Sequence, residues 1–248
     1  MPTSLRDRTD EALSAFALLT RLPLPDHTGR GIASAWAFPL VGLVCAVLAG
    51  LGGWLCLALG LPAPLAALVI VALQVMMTGA LHEDGLADTA DGLWGGWTRE
   101  RRLEIMRDSR VGSYGMIAMI LALGARTAAL TLLLGQGVGP TLAALIAAAV
   151  LSRATMPALM ALLPPARQDG LSRSTGRPSP RLATLSALIA LGIALLAIGT
   201  ALPSAALVTF LAALAIAHIA QRRIGGQTGD ILGATQQVTE IAVLFTLA

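Results

Sequence analysis

The chain has 248 residues, 56% of them hydrophobic and 12% charged, with a mean hydropathy of +0.76. A soluble domain carries roughly twice that charge, so the composition excludes an ordinary soluble enzyme and indicates one integral membrane domain, residues 1–248. All 17 basic residues are arginine and the net charge is +3; the basic balance belongs to connecting loops, so nucleic acid is not expected as a partner.

Residues 1–11 are charged, and the apolar stretch Ala12 to Leu19 runs into Arg21 and prolines without a small-residue cleavage site. No cleavable signal peptide is expected. Residues 8–20, with Ala12, Phe16 and Leu19, read as an amphipathic helix on the membrane surface. Apolar runs follow at about 32–60, 63–81, 114–135, 139–163, 182–201, 203–221 and 231–248. Most reach the ~20 residues that cross a bilayer core; the last is shorter in its unbroken part and is expected to be partly embedded. The expected fold is all-α: a polytopic membrane helix bundle of about six to seven transmembrane helices plus the N-terminal amphipathic helix. Cys45 and Cys56 lie in apolar runs and read as small hydrophobes.

The connections alternate. Arg-bearing ones hold Arg6 to Arg30, Arg99 to Arg110, Arg167 to Arg181, and Arg222 with Arg223; the short turns near Pro62, Gly137 and Pro203 carry no charge. The positive-inside rule places the arginine side and the N-terminus in the cytoplasm, and seven crossings leave the C-terminus outside. The segment 164–181 reads as a flexible loop. Because polar residues gather at one side rather than at mid-membrane depth, an enzyme at the cytoplasmic face is favoured over a transporter.

His82-Glu83-Asp84-Gly85-Leu86-Ala87-Asp88-Thr89-Ala90-Asp91-Gly92 places four carboxylates in nine residues, in a chain with 14 acids in all. Asp84, Asp88 and Asp91 stand at i, i+4 and i+7, so a helix puts them on one face. Such crowding calls for a cation, and Mg²⁺ takes oxygen ligands while bridging to substrate phosphates. If the helix ends near Gly92, Asp91 lies in its last turn, where the dipole disfavours a carboxylate and a cation would compensate.

Downstream, Arg99, Glu100 and Arg101 read as a solvated face. Asp108-Ser109-Arg110-Val111-Gly112 supplies a carboxylate, a hydroxyl and a guanidinium beside backbone donors, a set suited to metal and phosphate together. Arg107 could contact substrate or lipid head groups. Gly225-Gly226-Gln227-Thr228-Gly229-Asp230 is a glycine-rich turn running into a helix, a seat for an anion. Asp230, Gly233, Gln237 and Glu240 form one stripe, and Glu240 inside an apolar segment is a functional candidate by default. Arg126 and Arg153, also inside apolar runs, either pair with acids or snorkel. The chemistry implied is Mg²⁺-dependent transfer of a phosphate-linked group. Alternatives are another metal-dependent transferase acting on a lipid or prenyl diphosphate, and a cation-coupled transporter.

The stretch 82–96, the stretch 102–115, Leu19-Thr20-Arg21-Leu22-Pro23, Trp36 to Gly42, Ser152-Arg153 and Thr228 to Ala234 together closely resemble the cobalamin synthase family, the adenosylcobinamide-GDP ribazoletransferases. The resemblance implies a bacterial inner-membrane, Mg²⁺-dependent enzyme of the last assembly step of coenzyme B12. Adenosylcobinamide-GDP and α-ribazole, or its 5′-phosphate, would give adenosylcobalamin, or its 5′-phosphate, and GMP. On this reading Glu83, Asp84, Asp88 and Asp91 are metal ligands, and Asp84, Asp88, Asp91, Asp108 and Arg110 are catalytic. His82, Arg107, Ser109, Tyr114, Thr228, Gly229, Asp230 and Glu240 bind substrate. The bilayer is a partner, and a homo-oligomer or association with other B12-assembly enzymes is compatible with the chain.

Overall fold

A computed structural model describes residues 5–248, apart from the side chains of residues 171 and 173. Eleven helices follow in order: α1 Leu5–Leu19, α2 Phe38–Ala58, α3 Ala63–Thr78, α4 Leu81–Gly95, α5 Arg99–Ile105, α6 Ser113–Gln136, α7 Val138–Leu162, α8 Leu171–Thr175, α9 Pro180–Ile198, α10 Leu202–Ile224 and α11 Gly229–Leu247. Among the described residues there is no strand; the one extended contact is a bridge between Pro165 and Gln227. The all-α membrane bundle is therefore the observed class, with α1 present as the expected N-terminal helix.

Four helical stretches are long and apolar enough to cross a membrane: 31–58, 113–136, 138–162 and 180–224; a fifth arises if the bent pair α3 and α4 is one span. Each of the seven expected apolar runs is a helix, α2, α3, α6, α7, α9, α10 and α11, and two features separate that list from the stretches just given. The 45-residue stretch 180–224 would measure about 68 Å as one rod, over twice the ~30 Å hydrocarbon core. It is broken by a short 3₁₀ turn at Gly199–Ala201, where Gly199 takes φ 52°, so the two expected runs are its two legs. The run 63–81 ends at Gly79 and Ala80, both left-handed at φ 63° and 58°, and α4 departs from α3 at 89°.

Helix α7 is the axis. It packs against α2, α9 and α11, and its central residues Ala147, Ala148, Ala149 and Val150 are almost fully buried. Small residues permit this closeness: a Cβ on Gly42 of α2 would run into the Ala149 carbonyl of α7. The last helix, expected to be a marginal span, is instead central, lying against α4, α6, α7 and α10.

The reason is a polar core at helix depth. Arg126 of α6 donates to Glu83 of α4 at 2.8 Å, to Glu240 of α11 at 3.1 Å and to Gln74 of α3 at 2.9 Å. Arg153 of α7 lies 3.6 Å from Glu240, while Gln236 and Gln237 of α11 donate to Glu240 and Glu83. Two arginines and two glutamates balance in charge, and Arg126, Arg153 and Glu240 are 1–2% exposed. The arginines thus pair with acids rather than snorkel, and polarity is not confined to the connections as the sequence pattern suggested. This depth is where a transporter would keep its site, but here the charges are closed against one another.

At one end the arginine-bearing connections are sewn into a cap. Arg99 donates to the carbonyls of Ile224 (2.9 Å) and Ala166 (2.6 Å), Arg102 to Arg223 (3.1 Å), and Arg223 to Leu93 (2.8 Å). Arg99, read as solvated surface, satisfies the carbonyl-rich end of α10; Glu100 and Arg101 remain exposed, as expected. Segment 164–181 is likewise anchored at its start, by Ala166 N to Gln227 O at 2.8 Å and Gln227 N to Pro164 O at 2.9 Å.

Removing one member of a buried ion group strands the others, at a cost of about 3–5 kcal/mol. Glu240→Gln and Arg126→Met are each expected to lose that much stability in detergent unfolding. A loss below about 1 kcal/mol in both would show that the network does not hold the bundle.

Candidate active site

The acidic motif is helical throughout, as its spacing predicts, and continues to Gly95 rather than ending at Gly92. Its acids nevertheless have three different environments. Glu83 faces inward to Arg126 and Gln237. Asp84 is exposed and Asp88 is half-buried. Asp91, 8% exposed, turns to the start of α6 and accepts from the backbone N–H groups of Gly112 (2.7 Å) and Gly115 (2.9 Å).

Asp91 therefore does the work of an N-cap side chain from a neighbouring helix. The positive end of α6 supplies the counter-charge that its own helix does not, so a cation is not needed to compensate it. Glycines are required opposite it, because a Cβ at Gly112 or Gly115 would strike the carboxylate.

Asp84 reaches the start of α11 because α4 and α11 cross almost backbone to backbone. A Cβ on Gly85 would lie 3.0 Å from the Asp230 carbonyl oxygen and 3.2 Å from the Gly233 Cα. The crossing puts Asp84 and Asp230 into one cleft with His82, Gly229 and Arg167, a cavity of about 120 Å³. Drug-sized ligands occupy roughly 300–1,000 Å³. The cleft thus suits a phosphate-sized group, with the rest of a large substrate outside it.

Asp88, one turn beyond Asp84, senses the charges of Asp84, Asp91 and Asp230 as well as Arg167. Among the described residues Asp84 and Asp88 form no ion pair, whereas Asp230 lies 3.3 Å from Arg167. No three His, Cys, Asp or Glu side chains among the described residues converge as a ready-made metal cage. His82 is 2% exposed and its Nε2 has no hydrogen-bond partner.

Thr228 caps α11: its hydroxyl accepts from Ile231 N at 3.3 Å and donates to Asp230 at 3.1 Å. The Asp230–Glu240 stripe divides in two, with Asp230 and Gly233 lining the cleft and Gln237 and Glu240 closed in the buried network. Glu240, expected at substrate, is thus 1% exposed and away from the cleft.

Asp108 and Arg110 border a separate shallow groove with Asp91, Gly95 and Gly112. Arg110 grips Asp108 with Nε at 3.0 and 3.1 Å and Nη2 at 2.6 Å, holding the Asp108 carboxyl down at about 2. Asp108 therefore stays ionised across any working pH and is a poor proton acceptor. Arg107 pairs with Asp169 at 2.8 Å, and Ser109 and Tyr114 are exposed.

Two groups escaped the sequence reading. Gln74 and Gln236 gave no periodic signal strong enough to separate them from their apolar runs. Arg167 sat in a segment rich in proline, serine and glycine, where no spacing indicates direction.

Gly115→Ala is expected to displace Asp91 and lower stability by about 1–2 kcal/mol, the scale of a lost cap. Thermal unfolding in detergent checks this, with Gly124→Ala, where a Cβ meets open space, as the neutral comparison.

The sequence has relatives among known proteins. The cobalamin-5-phosphate synthase family matches residues 11–248. The chain is 46% identical over 242 residues to the adenosylcobinamide-GDP ribazoletransferase of Bradyrhizobium diazoefficiens, covering 94% of this chain and 91% of that protein. It is 47% identical over 251 residues to the protein of that name from Mesorhizobium japonicum, covering 97% and 93%. The Sinorhizobium medicae protein of that name is 44% identical over 264 residues, covering 99% and 98%. No solved structure matches. With similarity running from the first helix to the last residue, the chain belongs to the cobalamin-5-phosphate synthase family.

Proposed function

We infer that the reaction of this family, transfer of the adenosylcobinamide-phosphate group from adenosylcobinamide-GDP to α-ribazole or its 5′-phosphate, takes place at the cleft between α4 and the start of α11. One observation carries the reading. Asp84 of α4 and Asp230 of α11 line one cleft, Asp88 one turn along α4 feels both of their charges, and Arg167 is the only cation paired there among the described residues.

That wall fits Mg²⁺. The ion favours oxygen ligands and commonly keeps several waters while using one or two carboxylates and substrate phosphates, so a preformed cage of three side chains is unnecessary. Asp84, Asp88 and Asp230 are the residues to hold it. Glu83 and Asp91, also expected as ligands, are engaged by Arg126 and by the start of α6. When bound, Mg²⁺ would neutralise the phosphate oxygens.

The ribazole hydroxyl attacks the phosphorus attached to cobinamide. A new O–P bond forms, the bond to the GMP oxygen breaks, and GMP leaves. The attacking hydroxyl gives up a proton. Glu83 is committed to Arg126 and Asp108 to Arg110. His82 lines the cleft, but its Nε2 is buried and the nearby Arg126 and Arg153 oppose a further positive charge, so the proton passes to water. The N-terminal end of α11 at Gly229 offers backbone donors to phosphate oxygens. By the positive-inside rule, the arginine cap and the cleft face the cytoplasm of a bacterial inner membrane.

The test is GMP release from adenosylcobinamide-GDP and α-ribazole by purified protein in detergent with Mg²⁺. Asp84→Asn, Asp88→Asn and Asp230→Asn are each expected to lose about 100-fold or more in turnover, the scale of removing one group that holds developing charge. Near-normal turnover in all three overturns the site.

A further inference from the structure

Arg167 belongs to no motif marked by the sequence, yet the fold fixes its position closely. The residues before it are stitched to the start of α11: Gln227 N donates to Pro164 O at 2.9 Å, and Ala166 N to Gln227 O at 2.8 Å. Arg99 Nη2 holds Ala166 O at 2.6 Å from a third segment. The Arg167 side chain, 13% exposed, then lines the cleft beside His82 and Asp84.

Its polar contacts are few. Nη2 stands 3.3 Å from Asp230 Oδ2, and Nε is 3.6 Å from Asp169 Oδ1, beyond hydrogen-bond reach. Nη1 is buried with no partner in the structure. A guanidinium carries five donors in a planar fork that matches phosphate, and a buried donor without an acceptor is unfavourable. The guanidinium thus keeps donor capacity that no protein acceptor fills, on a side chain that lines the cleft. Arg110, the arginine that the sequence nominated for the phosphoryl group, is 87% exposed, bonded to Asp108 and set in the other groove.

We propose that Arg167 is the phosphate-binding arginine of the cleft, resting on Asp230 in the empty protein and turning its fork onto the substrate diphosphate when that arrives. The proposal rests on the cleft being the site of the reaction. The exchange is balanced in charge: one ion pair becomes an arginine–phosphate contact and an Asp230 free to face a cation. The ion pair also offsets part of the cost of burying either charge alone.

Inorganic pyrophosphate with Mg²⁺ is the probe, read as the rise it causes in the thermal unfolding midpoint of the protein in detergent. Wild type is expected to show a rise, Arg167→Gln to lose it, Arg167→Lys to keep part of it, and Arg177→Ala, on the same connection, to keep all of it. The midpoint without pyrophosphate reports whether each variant folds. A rise kept in Arg167→Gln, or lost in Arg110→Ala but not in Arg167→Gln, overturns the proposal.

A second measurement removes the purely structural explanation. If Arg167 only neutralises Asp230, then Arg167→Gln/Asp230→Asn releases GMP as fast as Asp230→Asn alone, and the proposal fails. A further loss of tenfold or more in the double variant supports it. Should Asp84→Asn and Asp88→Asn both retain turnover, the cleft itself is misassigned. Should they lose turnover while Arg167→Gln keeps both turnover and the pyrophosphate response, the arginine alone is.

Discussion

The bundle depends on burying charge where charge is unwelcome. Glu83, Arg126, Arg153 and Glu240 come from four different helices, with Gln74 supplied by a fifth. A lone ion at helix depth is costly, so such residues face the interior and find partners. The network therefore sets helix rotation as well as proximity. With Glu83 pinned inward, Asp84, about 100° further round the helix, must face outward. The inner clamp and the reactive wall are adjacent residues of one helix. What fixes the first orients the second.

This explains why four acids of one motif have different tasks. Glu83 balances a buried arginine, Asp91 caps α6, Asp84 lines the cleft with Asp230, and Asp88 lies one turn further along α4 within reach of their charges. The arginine cap completes the arrangement by tying α5, the 164–166 segment and the end of α10 together. The glycine crossing at Gly85 and Gly233 then brings the starts of α4 and α11 within backbone contact.

Much of this was legible in the sequence, and the limits are physical. Periodicity placed Asp84, Asp88 and Asp91 on one helix face, and charge placement separated the arginine end from the apolar turns. Periodicity gives a direction round a helix but not the neighbour in that direction, so Asp91 read as a ligand when its partner was the start of α6. Hydropathy marked α11 as an apolar run but did not show that it carries Gln236, Gln237 and Glu240 into the core. Arg167 was hidden for another reason. Its position is set by backbone bonds to Gln227, 60 residues away in sequence, and local pattern carries no trace of such a contact.

The position of Glu240 also constrains how the protein is made. Arg126 and Arg153 lie on helices synthesised well before α11, and each is unfavourable at the centre of an inserted helix by about 2.5–3.5 kcal/mol. Their common acid, Glu240, stands on α11, which follows both in the chain. Without α11, Glu83 is the one carboxylate among the described residues paired with Arg126, and Arg153 has none. The docking of α11 thus supplies the second carboxylate of the buried group, and α6 and α7 reach their final charge balance only when it is in place.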